Sequence, residues 1–164
     1  MMKKTVFIIT TLMFISGLYS TARGHCEIPC GIYGDKMRFD MWLEQITTVE
    51  KSMNQIVALS KESPVNYNQI VRWVTNKDVH ADDIREIAVQ YFLAQRVQPT
   101  AADAEEYKTY TAQLETLHHI IVHAMKAKQT TDLEHVEELR KLVKKFYELY
   151  FDEEMKAHLE EHEH

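Results

Sequence analysis

Strand signals are nearly absent from this 164-residue chain, which argues against the β-sandwich and barrel classes, since those need regularly spaced alternating segments. An excess of positive charge is missing as well. The formal net charge of -6 argues against nucleic acid as a partner, because phosphate binding wants a basic face. No internal repeat is present, and the longest apolar run, roughly a dozen residues from Val6 to Leu18, is short of the about 20 that cross a bilayer. Cysteine occurs only at positions 26 and 30, so thiol chemistry is confined to one short loop. What remains is ordinary for a soluble globular protein: 45% hydrophobic and 27% charged residues, in a length that suits one domain.

The first 24 residues stand apart from the rest. Lys3 and Lys4 form a positive start, the apolar run follows, and Ala22-Arg23-Gly24 places small residues where a signal peptidase reads. Residues 1–24 are therefore expected to be a cleaved secretory signal peptide. Residues 25–164 then form the mature domain, exported to a periplasm or the cell exterior with no stable membrane anchor. Cleavage after Gly24 leaves His25 as the N-terminus.

From Asp35 onward the pattern is helical. Trp42, Ile46, Val49, Met53 and Ile56 alternate steps of four and three on one helix of about 25 residues. Ser63-Pro64 reads as the cap and first position of a second helix carrying Ile70, Trp73, Val74, Ala81, Ile84, Ile87, Ala88 and Tyr91. Thr100 with Asp103 can cap a third bearing Tyr107, Leu114, Leu117, Ile121 and Met125. Thr131 to Glu134 has capping-box spacing and opens a fourth with Val136, Leu139, Val143, Phe146 and Tyr150 inward. The expected fold is all-α, an antiparallel four-helix bundle, with Trp42, Trp73 and Phe146 in its core. Such a scaffold names no function.

The chemistry lies in the segment the helices do not use, His25-Cys26-Glu27-Ile28-Pro29-Cys30-Gly31-Ile32-Tyr33. A pair of cysteines in an exported chain can simply oxidise to a disulfide. A metal is the other reading. If His25 is the terminus, its amine, the Cys26 backbone nitrogen and the Cys26 thiolate can chelate one ion, and Cys30 returns through the Pro29 turn to complete a plane. Two nitrogens and two thiolates in a plane favour nickel(II) or copper(II) over tetrahedral zinc. The His25 imidazole can add an axial nitrogen. Such strong donors stabilise a higher oxidation state, as a dismutase metal requires. An exported protein that binds or delivers nickel or copper without redox turnover would use the same donors.

The motif His25-Cys26-x-x-Pro29-Cys30-Gly31-x-Tyr33 resembles the nickel hook of the nickel-containing superoxide dismutases, and the helical remainder is similar to theirs in length and character. The resemblance implies a hook over residues 25–33, one nickel ion per subunit held by His25, Cys26 and Cys30, superoxide as substrate, and a homohexamer. It places Tyr33 beside the open face of the metal and Tyr91, of the Tyr91-Phe92 pair, behind it as a buttress. Glu27 departs from the aspartate of better-known members. The acid that orients the axial histidine in the family falls by count at Met41, with Asp40 and Glu44 nearby, and Arg72 and Lys77 are the candidates for its cationic partner. Lys36 and Arg38 are candidate sources of a local positive field for an anionic substrate. His118, His119 and His123 on the third helix read as surface histidines, and His158, His162 and His164 as a frayed, solvated tail.

Overall fold

The structure is a computed structural model that describes residues 31–161. The signal segment, the hook donors His25, Cys26 and Cys30, and the tail residues His162 and His164 lie outside the described residues. For Ile32, Tyr33 and Glu160 the backbone alone is described. Every regular element among the described residues is helical.

Helix α1 runs Ile32–Leu59 and buries the stripe Trp42, Ile46, Val49 and Met53 completely, as its periodicity requires. Helix α2 runs Tyr67–Glu86. Its cap is Asn66, whose side chain accepts the Gln69 N–H at 3.2 Å, and not Ser63; the Ser63–Pro64 bond is cis and belongs to the preceding turn. Ala81 and Ile84 are buried, whereas Trp73, expected in the core, is half-buried, and Val74 is exposed. The reason is the length of the neighbouring helix. The buried Lys77 ammonium donates to the carbonyls of Ala127, at 2.9 Å, and Lys128, at the last turn of the third helix. The turns of α2 before Lys77 thus extend past that helix. There the Lys51 ammonium lies 6.0 Å above the Trp73 ring.

Beyond Glu86 the chain continues without a break as a π-helix, Ile87–Arg96, a feature the sequence pattern does not announce. It closes where Val97 N–H donates to the Phe92 carbonyl at 2.8 Å, a five-residue step. Helix α3 is Tyr107–Lys128 and begins after Thr100 and Asp103, without a side-chain cap. It buries Thr116, Leu117, Ile120, Ala124 and Ala127, while Met125 is exposed. The packed face is turned toward its small residues, because alanine lets the neighbouring helices approach closely. The Thr116 hydroxyl is satisfied within the helix by the Ala112 carbonyl at 2.7 Å.

Helix α4, Glu134–Tyr150, buries Val136, Leu139, Leu142, Val143 and Phe146 as its pattern predicts. The side-chain acceptor at its start is Asp132, which takes the Glu134 N–H at 3.0 Å, rather than Thr131. A fifth helix, α5 at Glu153–Glu161, includes His158, exposed as expected but helical rather than frayed; Asp152 accepts the Met155 N–H at 2.7 Å and Leu159 is buried.

Helix α1 packs against α2 and α4, and α3 packs against the same two, so each long helix has two lateral neighbours. Aromatic rings fill the space nearest the start of α1. Trp42 lies 4.8 Å from Phe92, Phe92 lies 4.9 Å from Phe146 and 5.1 Å from Phe39, and the Trp42 indole N–H donates to the Ile84 carbonyl at 2.9 Å.

Candidate metal centre

The described chain enters α1 through Gly31, whose φ of 99° lies in the region that side-chain-bearing residues rarely adopt. A Cβ there would meet nothing within 4 Å, so the backbone angle and not the space demands glycine. The Asp35 N–H donates to the Gly31 carbonyl at 2.9 Å and closes the first turn. In sequence Gly31 directly follows Cys30, the second candidate thiol donor. Tyr33 lies in the backbone of that same first turn.

Behind this end sits a buried carboxylate. The Asp35 side chain is 3% exposed and accepts hydrogen bonds from three residues of two other elements. The Tyr91 hydroxyl donates to Oδ1 at 2.6 Å, the Tyr150 hydroxyl to Oδ2 at 2.9 Å, and the Arg96 guanidinium, as an ion pair, also to Oδ2. Arg96 Nε donates in turn to the Tyr150 oxygen at 3.1 Å. A buried carboxylate is costly unless paired and hydrogen-bonded, and here it is both. The π-helix makes the arrangement possible. Residues five apart on an α-helix, at 3.6 per turn, point about 140° from each other. The wider π turn brings Tyr91 and Arg96 to one side.

Burial raises the Tyr91 pKa, and its hydrogen bond to Asp35 adds to the effect. Burial likewise pushes Tyr150 up to about 12 despite the opposing hydrogen bond from Arg96. For Arg96, burial works against the charge, but the hydrogen bonds to Asp35 and Tyr150 outweigh it and hold the guanidinium protonated. An unfolded tyrosine ionises near about 10. Below that pH both states keep their phenol protons and the network contributes in full. Above it the unfolded chain releases protons that the folded chain retains, so stability falls as pH rises from about 10 toward 12. Urea unfolding midpoints should therefore drop over this interval, and Tyr150→Phe should make the drop shallower. A wild-type midpoint that stays level to pH 11.5 would contradict the assignment.

The other sequence candidates fall elsewhere. Asp40 is exposed and pairs with Lys36 at 3.0 Å, Glu44 is exposed, and Met41 receives Arg38 at 3.9 Å from its sulfur. Arg72 is exposed and Lys77 is committed to the end of α3, so the acid and base that pair at this end are the buried Asp35 and the half-buried Arg96. Arg38 lies over the Tyr91 ring, 4.7 Å from its centroid. Lys36 and Arg38 thus flank the start of α1, with Asp40 offsetting part of the charge. His118 and His119 are exposed; His123 is half-buried with its ring 5.2 Å from that of His135. Burial, then the neighbouring His135, lower the His123 pKa. Among the described residues no group of three or more histidines, cysteines or carboxylates could hold a metal ion. The described domain therefore offers no competitor to the donor set of residues 25–30.

Asp35 gave no signal in the sequence beyond an acid in the first turn of a helix, and Arg96 none. The Tyr91–Arg96 relation is invisible to a 3.6-residue pattern.

The family described as nickel-containing superoxide dismutase matches the chain over residues 20–154. No curated protein and no solved structure matches it.

Proposed function

We propose, from the premise that the chain belongs to the nickel-containing superoxide dismutase family, that its metal is held by the processed N-terminus, with the described helices as support. The protein is an oxidoreductase that disproportionates superoxide to dioxygen and hydrogen peroxide, and nickel is its cofactor. The family match selects the enzyme over a delivery protein without turnover. In our reading the His25 amine and imidazole, the Cys26 backbone nitrogen and thiolate, and the Cys30 thiolate hold one nickel ion per subunit. Their chemistry fits: thiolate with nitrogen is the donor set that suits a tetragonal, redox-active nickel. A thiolate at Cys30 would also be favoured by the partial positive charge at the N-terminal end of α1.

When bound, nickel supplies the one-electron couple that takes an electron from one superoxide and gives one to the next. The chain's own residues manage anion and protons. Tyr33, three residues beyond Cys30, is read as the group that positions anion or water at the open face, and Tyr91 as its support. Hydrogen peroxide formation consumes two protons per turnover. Tyr91 and Tyr150 both donate to Asp35, and in our reading they orient while solvent supplies the protons.

The same reading has residues 1–24 removed as a signal peptide and the protein exported to a periplasm or the cell exterior. The four long helices with their mutual contacts support an antiparallel bundle with the hook at one end. Tyr67, Val71 and Val74 form an exposed apolar stripe on the turns of α2 that pass α3, which supports burial against another copy and hence a homohexamer. The observation that carries the reading is the family match over residues 20–154, which spans the donor motif, and the Asp35 network in the first turn of α1, five residues beyond Cys30 in sequence, supports it. The test is joint: the purified mature chain should begin at His25, contain about one nickel per subunit and remove superoxide. An active, nickel-loaded protein that retains Gly24 would overturn it.

A further inference from the structure

We infer that Asp35 is a positioning residue of the nickel site, acting through Tyr91: anchored by Arg96 and Tyr150, its carboxylate holds the Tyr91 hydroxyl in one orientation against the end of α1 from which the hook departs. The inference rests on the reading that residues 25–30 hold the metal.

Three observations carry it. The first is polarity. Asp35 accepts the Tyr91 proton at 2.6 Å, so the Tyr91 oxygen presents only lone pairs to its other neighbours. Any group that approaches from the hook must donate to it. A tyrosine whose proton could point either way would offer no such selection. The second is placement. Asp35 also closes the first turn of α1 on Gly31 through its backbone N–H, so one residue ties the hook's exit to both Tyr91 and Arg96. The third is cost. Replacing an ion pair whose carboxylate is buried by apolar residues of similar size is often neutral or stabilising, so stability alone does not call for this one. The chain further spends ten residues in the π conformation, the register that brings Tyr91 and Arg96 together on the carboxylate. A carboxylate that gathers three donors and fixes a proton's direction is explained by what it orients.

The test is a double-mutant cycle in the mature nickel-loaded protein with Asp35→Asn, Tyr91→Phe and the pair together. Each single variant should keep its far-ultraviolet circular dichroism, slow superoxide removal by about tenfold or more, a loss in the range of one misplaced orienting group, and alter the paramagnetic resonance spectrum of the oxidised nickel protein. Because Asp35 acts through Tyr91, the double variant should be no slower than the slower single one. Should Asp35→Asn leave Arg96 orphaned and the fold damaged, Asp35→Asn with Arg96→Met removes both charges and takes its place in the cycle.

Wild-type rate with an unchanged nickel spectrum in the Asp35 variant overturns the inference, as do multiplicative losses in the cycle. Loss of fold in both Asp35 variants also overturns it, by making Asp35 a folding residue. Failure of the underlying hook reading would look different: Cys30→Ser would then retain the bound nickel and its spectrum.

Discussion

Cys26→Ser and Cys30→Ser are each expected to reduce superoxide removal to the level of the metal-free chain while leaving the helices intact. A serine hydroxyl is a hard, weakly acidic donor that does not ionise at neutral pH, whereas thiolates are the soft donors that suit nickel and bring a higher oxidation state within reach. The reading leaves no other residue to take over, since no described cluster of three or more ligands exists. Stability should hardly change, because the buried hydrophobic core runs from Phe39 to Leu159 and the cap of α1 is set by Gly31. Circular dichroism and thermal unfolding should therefore match the unsubstituted protein while turnover and nickel content are lost. Near-normal turnover in either variant would show that thiolate donation is not the basis of the site.

A chain extended by one residue, beginning at Gly24, should fold as the mature chain does yet lose most of its nickel affinity and nearly all of its activity. Extension turns the His25 amine into an amide and leaves every side chain of the hook in place. A free α-amine titrates near about 8, so a metal displaces its proton at neutral pH with little cost. An amide nitrogen is far harder to ionise. A site made of side chains alone would not register the change. Dismutation by purified chains starting at His25 and at Gly24, each given nickel under reducing conditions, separates the two possibilities. Equal activity would end the case for a terminal amine donor.

The two kinds of knowledge about this protein divide along the range of the interactions. The family could be read from the motif His25-Cys26-x-x-Pro29-Cys30-Gly31-x-Tyr33 because its residues are near neighbours in sequence: an amine, an amide and two thiols within six positions define their chemistry before any folding. The inward faces of α1 and α4 were equally legible, since Trp42 to Met53 and Val136 to Phe146 follow the 3.6-residue period closely. The pattern was less informative in α2 and α3. It assigned Trp73 and Met125 to the interior, but how far a neighbouring helix extends and which face its small residues turn inward are not local properties.

The network around Asp35 was legible in tertiary structure alone. Asp35 meets Tyr91, Arg96 and Tyr150 across separations of 56, 61 and 115 residues, and no periodicity links such positions. Two of those partners also depend on a π register that a helical-wheel reading misplaces. The exposed Asp40 and Glu44 had better sequence credentials than Asp35, yet they face solvent. What the sequence by itself determined was therefore the helical class and, through its motif, the nickel-containing superoxide dismutase family. Which acid and which base pair at the start of α1 was decided only when the packing of three helices closed around one carboxylate, because a buried charge persists only where its partners converge.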